Sequence, residues 1–193
     1  MANDLVRPKH LWCRQEVLSR PSPVPRSPGV YGWYFQGLDA IASSACINCG
    51  DFWLLYTGIS PSAPPRNGRS PSSQSLLHRV RYHYQGNAEG STLRLTLGCL
   101  LANKLGIELR RVGSGKRFTF STGETRLSEW MGDNARVAWH VCEEPWKLEE
   151  ELIASLDLPL NLDQNRRHGF HPVLSRIRHE AKAKARELPI LPR

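Results

Sequence analysis

Two runs of aromatic and β-branched residues stand near each other in the first third of the chain, Val30-Tyr31-Gly32-Trp33-Tyr34-Phe35 and Asp51-Phe52-Trp53-Leu54-Leu55-Tyr56. Their composition and length predict two strands. The hydrophobic period then changes. Residues 75–84 place Leu76, Leu77, Val80 and Tyr84 on one helical face, and Leu93, Leu97, Leu100 and Leu101 do the same in the next segment. Residues 117–121 predict a short strand, 127–131 a helical turn, and 136–142 (RVAWHVC) a third strand. A helix over about 146–156 is stopped by Pro159, and a last one starts at His171-Pro172. In that last helix Leu174, Ile177, Ala181 and Leu188 line up opposite Arg176, Arg178, Lys182 and Arg186.

The segments between these elements are rich in Pro, Ser and Gly. Residues 36–50, with Cys46-x-x-Cys49, and residues 60–73 read as loops. Residues 19–28 (SRPSPVPRSP) must be extended, since Pro fixes its own φ and restricts the residue before it. The expected organisation is therefore a Pro-rich lead-in over 1–28, a folded domain over 29–161, and a basic C-terminal helix over 162–193 packed on that domain. The fold class is α+β: a small three-stranded antiparallel sheet flanked by helices, with an enlarged helical insertion over 86–134 and a C-terminal helix.

Composition narrows the partners. With 26 Lys and Arg against 18 Asp and Glu in 193 residues, the formal charge is +8, which points toward a polyanion. No apolar stretch reaches the roughly 18–20 residues that a membrane helix needs, and the first ten residues lack a signal-peptide core. Five Cys at irregular spacing suit a reducing cytoplasm better than a disulfide framework.

Two places concentrate chemistry. In the run Glu149-Glu150-Glu151, only Glu149 shares a face with Leu152, Ile153 and Leu156; the other two turn about 100° and 200° away. A carboxylate on a core-facing stripe requires an Arg, a metal ion or a helix N-terminus as partner. Arg79 and His83 stand four residues apart on one helix, beside its apolar stripe. No Asp or Glu occurs from Phe52 to Ala88, while Arg66, Arg69, Arg79 and Arg81 all do, so this side should attract phosphate.

These residues carry a family resemblance. Gly29-Val30-Tyr31 in the first strand, Tyr56-Thr57-Gly58 ending the second, Arg79 and His83 on the next helix, Glu149 on a later one, and Asn161 after it resemble the GIY-YIG nuclease motif set in order and placement. The segment from Glu149 to Asn161 also resembles part of the nuclease domain of the bacterial excision-repair incision subunit. The Tyr31-to-Tyr56 gap is longer than usual for the family, and Val and Thr replace the usual Ile in the two triplets.

The resemblance implies a metal-dependent endonuclease acting on nucleic acid, with DNA as the leading substrate. Its site residues would be Tyr31, Tyr56, Arg79, His83, Glu149 and Asn161. Glu149 would hold one Mg²⁺ or Mn²⁺, a hard ion that keeps most of its waters. Arg79 would clamp the phosphate through its planar fork, and Asn161 would position the site. Tyr31, Tyr56 or His83 would orient or deprotonate the water. Arg66, Arg69 and Arg81 would contact the nucleic acid, and a partner protein or a homodimer would supply specificity. The alternatives are a silent nucleic-acid-binding module of the same fold and an RNA-cleaving nuclease. Cys46 and Cys49 form half of a zinc set that Cys13, His10 or Cys142 could complete, although strong zinc signals carry a second pair. Gly113-Ser114-Gly115-Lys116 lacks the remainder of a phosphate loop and reads as a turn.

Overall fold

The computed structural model of the chain describes residues 2–65, 72–162 and 165–192. Along them run α1 (Asn3–Val6), α2 (Arg14–Leu18), β1 (Gly29–Phe35), β2 (Asn48–Cys49), β3 (Phe52–Ser60), α3 (Leu76–Gln85) and α4 (Thr92–Leu100). There follow α5 (Ala102–Leu105), β4 (Arg110–Val112), β5 (Arg117–Thr119), α6 (Gly123–Asn134), β6 (Ala135–Val141), α7 (Pro145–Ser155) and α8 (His171–Glu187). The fold is α+β, as expected.

The main sheet is antiparallel, in the order β2-β3-β1-β6. Its three long strands are the three expected. The fourth, β2, comes from the segment read as a loop, and two residues are too few to show an alternation. β1 is buried at all seven positions because helices cover both faces of the sheet. Tyr31, Trp33 and Phe35 enter the larger core with Leu76, Val80 and Tyr84 of α3, Leu93 and Leu97 of α4, and Leu174 of α8. Val30 and Tyr34 enter a smaller core with Leu5 of α1, Leu54, Ala138 and Leu152 of α7. An alternating strand with both faces covered explains why this run is apolar throughout.

Packing begins well before Pro28, within the lead-in. Leu5 and Val17 are fully buried, and the Tyr34 hydroxyl donates to the Leu5 carbonyl. Trp12 exchanges two backbone hydrogen bonds of 3.0 Å with Val137 of β6. Helices of four and five residues give too few positions for a periodic signal. The Pro-rich stretch bends repeatedly between residues 19 and 27, which corrects the extended reading, and it serves α3: the amides of Leu76 and Leu77 donate to the carbonyls of Ser27 and Pro25 at 3.0 and 3.1 Å. Two of the four orphan N–H groups of that helix are satisfied in this way.

Residues 113–116 form the turn of the β4–β5 hairpin, with Gly113 and Gly115 at positive φ (61° and 78°). The expected helical turn at 127–131 is part of the longer α6, anchored by buried Leu127, Trp130 and Met131. α7 starts at Pro145, so Glu149 lies beyond its first turn, and the reading of that carboxylate as a helix N-terminal charge is displaced. No helix among the described residues is long and apolar enough to cross a membrane.

Candidate active site

A cavity of about 420 Å³ opens where β1, β3, α3, α4, α7 and α8 meet. Tyr31, Tyr56, Arg79, Glu149 and Asn161 all line it. The sheet register accounts for the first two. Tyr31 pairs with Gly58, and Trp33 with Tyr56, so both tyrosines project from the same sheet face. The ring of Tyr31 lies across Gly58: a Cβ built there would stand 2.5 Å from its hydroxyl oxygen. The glycine of the first triplet is needed for a different reason, since a Cβ on Gly29 would collide with the His140 carbonyl of β6. Each triplet thus combines a tyrosine for the cavity with a glycine that lets a neighbour approach.

His83 stands behind the cavity wall. It is fully buried, with Nε2 2.8 Å from the Tyr31 hydroxyl and Nδ1 2.8 Å from Ser91 Oγ, while Tyr56 meets its ring edge-on at 6.5 Å. Burial first, then the charges of Arg79 and Arg94, hold it well below the usual imidazole range, so it is neutral at physiological pH. Burial, followed by Tyr56, pushes the Tyr31 hydroxyl well above the usual phenol value, with Arg79 pulling the other way. Burial opposes the charge on Arg79, but the Tyr31 oxygen and then Tyr56 and Tyr82 outweigh it and raise its pKa further. One Arg79 donor is anchored on the Gly90 carbonyl at 2.8 Å.

Asn161 is a structural clamp. Its side-chain amide accepts from the Thr57 N–H and donates to the Thr57 carbonyl, both at 2.8 Å, as a neighbouring strand would. Leu160 N–H donates to the Leu55 carbonyl beside it. The open edge of β3 is therefore closed where Tyr56 and Gly58 must be held. On α7, Glu149 is buried while Glu150 and Glu151 are exposed, as the helical-face reasoning required.

The remaining expected residues lie elsewhere. Arg66 and Arg69 fall outside the described residues. The structure does not bring Arg81 to the cavity; it donates to the carbonyls of Val17, Leu18 and Ser19 at 2.7–3.2 Å and ties the end of α2 to α3. Cys46 donates to Asp157, which also binds Ser43 and His168, and His10 pairs with Glu16. Among the described residues, no group of three or more His, Cys, Asp or Glu gathers to hold a metal. A many-ligand zinc centre has no basis there. The donor set at the cavity, one lining carboxylate among the described residues, fits a hard divalent ion that keeps most of its waters.

Sequence reasoning missed Ser91 and Thr96, and it placed Arg178 only on the basic face of the last helix. Ser91 caps α4, accepting from the Arg94 amide at 3.1 Å, and its contact with His83 crosses helices that no spacing rule connects. Thr96 and Arg178 line the cavity from α4 and α8. It also missed the fully buried Arg94, which donates to the Glu124 carboxylate at 2.7 and 3.1 Å and to the His83 carbonyl at 3.0 Å.

No curated protein and no solved structure gives a significant match to the chain. A family model of the GIY-YIG catalytic domain matches residues 29–180, from the first strand of the main sheet through the cavity and into α8. The chain belongs to the GIY-YIG catalytic-domain family, a family of nucleases whose substrate is nucleic acid.

Proposed function

We propose that the chain is a metal-dependent endonuclease that hydrolyses phosphodiester bonds in DNA. The observation that carries the reading is the convergence of Tyr31, Tyr56, Arg79 and Glu149, from four separate elements, on one cavity beside the Asn161 clamp. Hydrolysis needs an oriented water, charge neutralised on the phosphate, and a stabilised leaving oxygen. Arg79 offers the phosphate a planar cation held in place by Gly90. His83, neutral and enclosed, gives its Nδ1–H to Ser91 and accepts the Tyr31 proton at Nε2. The Tyr31 oxygen, which also faces the Arg79 guanidinium, keeps a lone pair for a water in the cavity.

Tyr31, its own proton held by His83, orients that water for attack, and the proton the water loses passes to solvent. The new P–O bond forms, the bond to the leaving oxygen breaks, and that oxygen takes a proton from solvent. His83 is a positioning residue in this scheme, since it reaches the water only through Tyr31. A Mg²⁺ or Mn²⁺ ion held by Glu149 would supply further charge neutralisation on the phosphate. DNA as substrate is supported by the resemblance of the Glu149-to-Asn161 segment to the excision-repair incision subunit. The test is incubation of purified protein with plasmid DNA, oligonucleotide DNA and RNA, in Mg²⁺, Mn²⁺ or EDTA. Cleavage of DNA with either metal and none in EDTA is expected. Cleavage of RNA alone would move the reading to an RNase, and binding without cleavage of any substrate would make the chain a binding module.

A further inference from the structure

We propose that the furrow between the β4–β5 hairpin and α8 is a phosphate-backbone subsite that receives the polynucleotide strand on one side of the scissile position. The furrow is a second cavity, of about 370 Å³, and it shares Arg79, Thr92 and Arg178 with the catalytic cavity, so one runs into the other. Beyond the shared residues its wall carries Lys116 and Arg117 from the hairpin and Lys182 from α8. Arg178 and Lys182 stand four apart on one helix and so present adjacent cations along it. Among the described residues, five cationic side chains thus border the furrow against a single carboxylate, Glu89, which Arg117 approaches to 3.7 Å. A concave wall with this imbalance concentrates phosphate.

The furrow is also built to keep its shape. Arg111 of β4 donates to the carbonyls of Ala185, Arg186 and Leu188, fastening the hairpin to the end of α8. Lys182 and Arg186 lie over the Phe118 ring of β5 at 5.7 and 5.9 Å. Apart from Arg79, none of the motif residues takes part. The walls come from the insertion and from α8, segments that the chemistry of the first cavity scarcely uses, and strand guidance gives them a role.

The inference rests on the nuclease reading, and the experiment separates the two. Wild-type protein first maps the cleavage position on a DNA duplex. Binding is then measured between about 50 and 200 mM salt for Glu149→Gln protein and for the same protein carrying Lys116→Ala and Arg117→Ala. Both added positions are exposed, and unchanged melting temperatures verify folding; Lys116→Glu and Lys182→Glu form a second, charge-reversed set. The slope of log affinity against log salt should become shallower by about 0.9 for each phosphate that is no longer neutralised. Methylphosphonate linkages on one side of the cleavage position should weaken the parent and abolish its difference from the variant, while linkages on the other side preserve that difference. Parent-like affinity and slope in both variant sets, or equal responses to the two modified duplexes, would overturn the subsite alone. Failure of the wild-type protein to cut any nucleic acid, together with failure of the Glu149→Gln protein to bind one, would overturn the nuclease reading and the subsite with it.

Discussion

Three consecutive glutamates on α7 differ only in where the helix turns them, and the turn gives them different environments. Glu149 faces the cavity among buried neighbours, whereas Glu150 and Glu151 face solvent. Glu149→Gln should therefore lower the cleavage rate by about 10² to 10⁴-fold, the range of a positioned catalytic group. Glu150→Gln and Glu151→Gln should cut like the parent. Single-turnover assays of the three variants decide it, and equal losses at all three would refute the assignment. Gly58 acts through the space it leaves. An added methyl would stand 2.5 Å from the Tyr31 hydroxyl oxygen and 2.7 Å from Cζ, so the ring must move. Displacing a reacting group by about 1 Å can cost about 10²-fold in rate. Gly58→Ala should show a loss of that order while still melting cooperatively; parent-like cleavage would mean that the position of Tyr31 is unimportant.

Between elements, the polar contacts that hold the helices around the cavity were the least legible part of the sequence. The buried face of Glu149 followed from Leu152, Ile153 and Leu156, because helical period converts spacing into direction. Tyr31, Arg79 and Asn161 were legible through their order along the chain. The same period placed Arg81 away from Arg79 but carried no information about what lay there, which is the carbonyl end of α2. Arg94 stood in an apolar run, and its partner Glu124 lies thirty residues away on α6. Such a pair is a property of helix packing and leaves no local pattern. Glu124 also accepts from the amides of Ala88 and Phe120, so its carboxylate joins the start of the insertion to α4 and α6. Glu124→Ala should cost about 3–5 kcal/mol, because it leaves a buried guanidinium uncompensated. The double variant Arg94→Met/Glu124→Leu should lose less than the sum of the single changes, as measured by urea unfolding. Strict additivity would mean that the two residues do not act as a pair.

Over the whole molecule, cavity, furrow and sheet share one electrostatic constraint: a chain of net charge +8 encloses a histidine beside two arginines. In the unfolded chain that imidazole titrates near 6.5, and in the folded protein it titrates well below. Below about pH 6.5 the unfolded chain therefore binds a proton that the folded protein refuses, and stability falls with pH by up to about 1.4 kcal/mol per pH unit for this one group. Asp157 behaves differently. Partial burial alone would raise its pKa, but hydrogen bonds from Ser43, His168 and Cys46 hold it below its ordinary 3.8. Its contribution is complete above about pH 4 and disappears only as the pH falls through the folded value. The two contributions begin to fall at different pH, near 6.5 for His83 and near 4 for Asp157, so urea unfolding across a pH series with single variants can assign each. His83→Asn should lower stability at pH 7.5 yet flatten the decline between pH 6.5 and 5, relative to the parent. Asp157→Asn should keep that decline and flatten the one below pH 4. If the decline between pH 6.5 and 5 survives unchanged in His83→Asn, His83 is not enclosed as a neutral group, and the support it gives to Tyr31 has to be sought in another residue.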